Sequence, residues 1–152
     1  MAAKVRLYEP ADEKRVLQIF EKGFQGAIEG SYLWHLEKDF FESKIAPKGD
    51  MHSIEKFYNQ HPDRAFFVAE LDGVVCGICA AVLNEDGQSV ELQRMSVSTE
   101  CRGKGVGGQL VQAVVDFAVA RTVPKVRLET IDRKVDAICM YERHGCIAAT
   151  DV

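Results

Sequence analysis

The chain lacks a hydrophobic run long enough to cross a bilayer: its longest unbroken apolar stretch, Val74 to Leu83, is 10 residues. A spanning helix needs roughly 18 or more. No membrane segment and no membrane partner are expected. A hydrophobic signal core is also missing, because Met1-Ala2-Ala3-Lys4 leads straight into a strand-like run; a cytoplasmic protein is the expectation. There is no surplus of positive charge. Lys and Arg number 19 against 23 Asp and Glu, a net charge of −4, which argues against a broad nucleic-acid footprint.

Cysteine is present but without the marks of a disulfide framework. The five cysteines, at 76, 79, 101, 139 and 146, are odd in number and have no secretory context, so reduced thiols are expected. Cys76 and Cys79 spell C-x-x-C inside a strand-like run, where positions i and i+3 face opposite sides and cannot converge on zinc. The histidines at 35, 52, 61 and 144 have no metal-ligand spacing. No metal is expected. Neither an internal repeat nor a linker divides the 152 residues, and the expectation is one domain over 1–152.

What is present reads as alternating elements. Lys4–Glu9 alternates as a strand and is stopped by Pro10, after which Asp12 can cap a helix carrying Val16, Ile19, Phe20 and Phe24 at helical spacing. Residues 31–60 hold two weaker helical patterns, Leu33/Leu36/Phe40 and Ile54/Phe57/Tyr58, with Pro47-Lys48-Gly49 between them. Ala65–Leu71, Val74–Asn84 and Ser89–Val97 form an antiparallel meander, turned at Asp72-Gly73 and Asp86-Gly87. A helix with Val106, Leu110, Ala113, Val114 and Phe117 on its apolar face follows, then a strand over Val126–Ile131. The last helix, about Lys134 to Arg143, is closed by Gly145. The order β-α-α-β-β-β-α-β-α describes an α/β domain on a mixed sheet.

Arg102-Gly103-Lys104-Gly105-Val106-Gly107-Gly108 is the most informative segment. It opens a helix directly after a strand, with four glycines and two cations in seven positions. Glycines allow close backbone approach, and a helix start offers free N–H groups and partial positive charge, which suits phosphate. A Walker loop is excluded, since no G-K-[ST] follows the spacer. The dinucleotide pattern is formally met by Gly103, Gly105 and Gly108 with Glu129 downstream. Against it stand the antiparallel meander before the loop and the 23 residues left after Glu129.

Arg102-x-x-Gly105-x-Gly107 also matches the Q/R-x-x-G-x-G/A signature, and Tyr141-Glu142-Arg143-His144-Gly145-Cys146, with Ala137 before it, follows at a fitting distance. On these motifs the chain resembles the GNAT superfamily of N-acetyltransferases along nearly its whole length. Cys146 stands where phenylalanine is customary and Lys134 where many members have asparagine. Arg94-Met95-Ser96-Val97, the Leu128-Glu129-Thr130 run and Tyr141–Gly145 are similar to the branch that acetylates cysteine conjugates or aspartate. Members of that branch carry a hydrophobic membrane segment where this chain has Glu37, Lys38, Asp39 and Lys48, which implies a soluble relative.

The resemblance implies a mainly antiparallel mixed sheet flanked by helices, with a short C-terminal strand, and acetyl-CoA as cosubstrate. It implies that Arg102, Gly103, Lys104, Gly105, Val106, Gly107 and Gly108 hold the pyrophosphate. Backbone groups of Met95, Ser96 and Val97 then bond the pantetheine arm. Tyr141 is the expected proton donor to the departing thiolate. Glu91, eleven residues before Arg102, is the candidate base for an ammonium that holds its proton to about pH 10; its bland alternative is a solvent-side residue of an alternating strand. The acceptor is a small-molecule or peptide amine, its pocket drawn from residues 23–60 with Trp34, His35, Phe40, Phe41 and Tyr58, while Arg94 or Arg127 could meet a carboxylate. A catalytically weak acyl-CoA-binding module is the non-enzymatic alternative.

Members of the family continue through two further strands after this motif, whereas seven residues follow Gly145. Cys146–Thr150 supplies one short strand, so the sequence leads us to expect an unpaired edge beside the fifth strand. A homodimer, a partner chain or a longer C-terminus would complete it.

Overall fold

A computed structural model of the chain describes residues 3–28, 49–128 and 147–148. β1 (Lys4–Leu7) leads through a 3-10 turn at Pro10–Asp12 into α1 (Glu13–Ile28). A turn at Asp50–His52 and a π-type turn at Glu55–Asn59 precede β2 (Arg64–Leu71), β3 (Val74–Leu83) and β4 (Ser89–Val97). After a 3-10 turn at Thr99–Cys101 come α2 (Val106–Ala120), β5 (Lys125–Leu128) and β6 (Ile147–Ala148). The strands form one sheet in the order β1-β2-β3-β4-β5-β6. Neighbours are antiparallel up to β4 and parallel from β4 to β6.

Local chemistry explains the turns. Asp72 (φ 54°) and Gly73 (φ 80°) are both left-handed, which matches the right-handed twist of the strands they join. Asp12 does not cap α1 directly. Its carboxylate accepts the Glu9 amide at 2.9 Å and is gripped by Arg6 at 2.8 and 2.9 Å, closing the short turn after Pro10. The Ile54/Phe57/Tyr58 pattern gives only the π-type turn, with Ile54 and Tyr58 buried and Phe57 exposed. The pattern at Leu33/Leu36/Phe40 and the helix expected over Lys134–Arg143 lie outside the described residues. Among those described, no helix is long and apolar enough to cross a membrane.

The sheet separates two apolar layers. On one face Val16, Ile19 and Phe20 of α1 meet Met51, Ile54 and Tyr58 over Phe66, Val68, Ile78 and Ala80. On the other, Val106, Leu110, Val111, Val114 and Phe117 of α2 cover Ala65, Ala69, Cys79, Ala81, Val90 and Leu92. The α1 residues follow the i, i+3, i+4 stripe, and those of α2 extend it with Val111.

Two further expectations are corrected. Cys76 and Cys79 do not face opposite sides: both belong to the α2-side layer. The pairing passes from Ala69↔Gly77 to Glu70↔Val75, so Cys76 is an extra residue in β3 and breaks the alternation. Nor does β5 present an open edge at Arg127 and Leu128. β6 runs parallel to it, pairing Arg127 with Ile147 and Leu128 with Ala148; the returning backbone satisfies ladder groups that an edge would leave bare.

Helix α2 approaches the sheet closely at Gly77. A Cβ there would stand 2.9 Å from both Leu110 Cδ1 and Val106 Cγ1. Both of those side chains are buried, so neither can swing away. Gly77→Val is therefore expected to cost roughly 1–3 kcal/mol by overpacking, read as a lower urea midpoint. An unchanged midpoint would show that α2 does not depend on this contact.

Candidate functional site

β4 and the start of α2 build the site. Val90 and Leu92 sit in the α2-side layer, so Glu91 between them turns toward the α1 face. Glu91 is half-buried, and Asn84 Nδ2 donates to its Oε2 at 3.4 Å. Its register partner on β5 is Arg127, also half-buried.

The alternation breaks two residues further on. Pairing jumps from Ala80↔Gln93 to Ile78↔Ser96, which leaves one extra residue in β4 at Arg94–Met95. Arg94 there is left-handed, with φ 56°. Beyond it Met95 and Val97 pack into the α2-side layer, while Ser96 Oγ donates to the Ile19 carbonyl of α1 at 3.4 Å.

Arg94 reaches a group that sequence reasoning did not single out. Its Nε and Nη2 donate to the two oxygens of Asp50 at 3.0 and 3.2 Å, and the Tyr58 hydroxyl donates to Asp50 Oδ2 as well. Asp50 and Tyr58 are buried. Burial, and then the adjacent carboxylate, push the Tyr58 hydroxyl far above its ordinary range, so it stays a donor. No local pattern announces Asp50, because its charged partner lies 44 positions away in the chain. Tyr58 belongs to the core rather than to an open pocket. Trp34, His35, Phe40 and Phe41 lie outside the described residues.

The glycine loop follows the strand. The Ser98 amide donates to the Cys76 carbonyl at 2.8 Å, and the amides of Cys101 and Arg102 close back on Ser98 and Thr99 at 3.0 and 3.3 Å. Gly103 (φ 79°) and Gly105 (φ 78°) then take left-handed conformations that L side chains resist. Gly105 is the N-cap of α2, and the Gln109 amide bonds its carbonyl at 3.1 Å. The amides of Val106, Gly107 and Gly108 therefore open the helix without intrahelical acceptors, beside exposed Arg102 and Lys104. An anion is the natural guest of such an end.

The structure thus brings Glu91, Met95, Ser96, Val97 and the loop 102–108 onto one continuous stretch of β4 and α2. Tyr141 lies outside the described residues. Among those described, no group of three or more His, Cys, Asp or Glu side chains could hold a metal ion.

The family pattern described as acetyltransferase (GNAT) matches residues 31–146. The chain is 45% identical over 96 residues to human N-acetylaspartate synthetase, an alignment covering 63% of this chain and 32% of that protein. It is 37% identical over 117 residues to the probable N-acetyltransferase camello of Xenopus laevis, covering 76% of this chain and 53% of that one. The chain spans about a third of the length of the first of these relatives and about half of the second. In fold it is similar to the PaiA N-acetyltransferase of Thermoplasma acidophilum, solved in complex with coenzyme A, with TM-score 0.80, 15% identity and coverage of 95% and 89%. With a family match running from residue 31 through the glycine loop to residue 146, the chain belongs to the acetyltransferase (GNAT) family.

Proposed function

We propose that this chain moves an acetyl group from acetyl-CoA to the primary amine of a small molecule or peptide by direct attack. The observation that carries the reading is the start of α2. Left-handed Gly103 and Gly105, the open amides of Val106, Gly107 and Gly108, and exposed Arg102 and Lys104 fit a pyrophosphate. A Cβ at Gly103 or Gly105 would meet nothing within 4 Å, so both glycines answer to backbone conformation rather than to packing against the protein. These residues would hold the phosphates, and the backbone of Met95, Ser96 and Val97 the pantetheine arm. When bound, acetyl-CoA supplies the activated acyl carbon.

The protein's own part is to orient the amine and to move protons. Glu91, half-buried on the α1 face three residues before the bulge, takes a proton from the incoming ammonium directly or through water. Tyr141 gives its hydroxyl proton to the departing sulfur. Holding amine and thioester together supplies much of the acceleration. The acceptor is a small amine bearing a carboxylate. That reading is supported by the aspartate in the name of the 45% identical relative and by Arg127, a half-buried cation in register with Glu91.

Coenzyme A at 100 times its Kd should stabilise the protein by about 2.7 kcal/mol, seen as a raised melting temperature, and NADH should not. Stabilisation by NADH alone would overturn the reading in favour of a dinucleotide. Gly105→Asp, which strains the backbone and brings a negative charge to the phosphate position, should remove the coenzyme A effect.

In an acetylation screen followed by thiol release, amino acids and their conjugates should outpace polyamines. Glu91→Gln and Tyr141→Phe should each lower kcat by about 10²–10⁴-fold while coenzyme A affinity holds. Glu91→Gln should also flatten the acidic limb of the kcat/KM profile. Tight coenzyme A binding with no transfer to any amine would identify a binding module instead.

A further inference from the structure

The bulge in β4 and the buried acid beside it carry an inference that rests on the acetyl-transfer reading. Arg94 occupies a backbone conformation where glycine is the default. An L residue is strained there and persists when its surroundings over-determine it. Its surroundings do so. The guanidinium is clamped on both Asp50 oxygens at 3.0 and 3.2 Å, and Tyr58 donates to the same carboxylate.

Asp50 belongs to the segment between α1 and β2 and is fixed there, since Met51, Ile54 and Tyr58 around it are buried in the α1-side layer. A buried carboxylate is stable only when paired and hydrogen-bonded, and its partners here are a bidentate arginine and a phenol. The clamp thus anchors one point of β4 to the opposite layer. That point separates Glu91 from Met95–Val97.

We propose that Asp50, Tyr58 and Arg94 form a latch that sets the spacing between the base Glu91 and the backbone that aligns the thioester. All three are positioning residues. Glycine would relieve the strain at position 94 but could not supply the latch.

The test uses the full chain with Asp50→Asn, Tyr58→Phe, Arg94→Lys and Arg94→Gly, comparing melting temperature, coenzyme A affinity, kcat, KM and amide exchange at Met95–Val97. The latch predicts faster exchange at Met95, Ser96 and Val97, with coenzyme A affinity nearly unchanged. It predicts kcat down by about 10²-fold in Asp50→Asn and Arg94→Gly, as a small misplacement of reacting groups produces. KM for acetyl-CoA should move little. Arg94→Lys, which keeps charge but loses the fork, should recover only part of the loss. The Asp50→Asn/Arg94→Lys double variant should be no slower than the worse single one.

Tyr58→Phe keeps the ring and its packing, so it remains informative if a charge variant fails to fold. A kcat loss that only tracks the folded fraction would overturn the latch, as would wild-type kcat in a folded Asp50→Asn or Arg94→Gly. If the wild type acetylates no amine, the transfer reading fails. The latch is then judged by exchange alone, and unchanged exchange at Met95–Val97 in Asp50→Asn would overturn it.

Discussion

The extra residue in β4 is the constraint around which the site is arranged. With strict alternation after Val90 and Leu92, Arg94 would point into the apolar α2-side layer, where an unpaired guanidinium is strongly disfavoured. The insertion turns Arg94 to Asp50 and returns Met95 and Val97 to the α2-side layer. Two apolar layers and one buried ion pair are satisfied together by a single local irregularity. It lies between the candidate base and the backbone assigned to the cosubstrate, and the charges of Arg94 and Asp50 offset one another inside the fold.

The second constraint lies where the sheet changes character. β1 to β4 pair antiparallel, and β4 is joined to parallel β5 through α2. A crossover of this kind presents a helix start at the carboxyl end of the strand, which is where phosphate groups bind in many unrelated folds. Gly77 lets the first turn of α2 lie close on β3, with Val106 and Leu110 packed over it. The open amides are thereby held by the core rather than by the loop itself, and the loop is left to supply only conformation and charge. The same crossover explains why the dinucleotide spacing is met: one parallel unit is present, but β3 beside it runs antiparallel.

Much of this was legible because its causes are local. Asp72-Gly73 turns because both residues take left-handed conformations, and Asp86-Gly87 turns with Gly87 left-handed and the Gln88 amide on the Asp86 carboxylate at 2.9 Å. The stripe of α2 repeats at helical spacing, and Val106, Leu110, Val114 and Phe117 are buried accordingly, while Ala113 at its margin is only partly buried. Even the β4 bulge left a trace. Val90, Leu92, Met95 and Val97 are spaced two, three and two apart, whereas a constant period of two would have placed apolar side chains at the positions held by Arg94 and Ser96. β3 left none. It is apolar on both faces, so the extra Cys76 interrupts no pattern, and the opposite-face reading of Cys76 and Cys79 had nothing to correct it.

By itself, then, the sequence determined the strand order among the described residues, the helices Glu13–Ile28 and Val106–Ala120, the turns and an anion-ready loop, since each follows from nearest-neighbour sterics, a short apolar period or glycine's freedom at positive φ. Tertiary structure alone decided that Asp50 meets Arg94, that Tyr58 is a buried donor rather than a pocket wall, and that β6 lies against β5. None of those contacts joins chain neighbours, and Arg94 lies 44 positions from Asp50. They are selected by which buried charge finds a partner and which ladder groups remain to be paired, and neither quantity exists until the layers have closed.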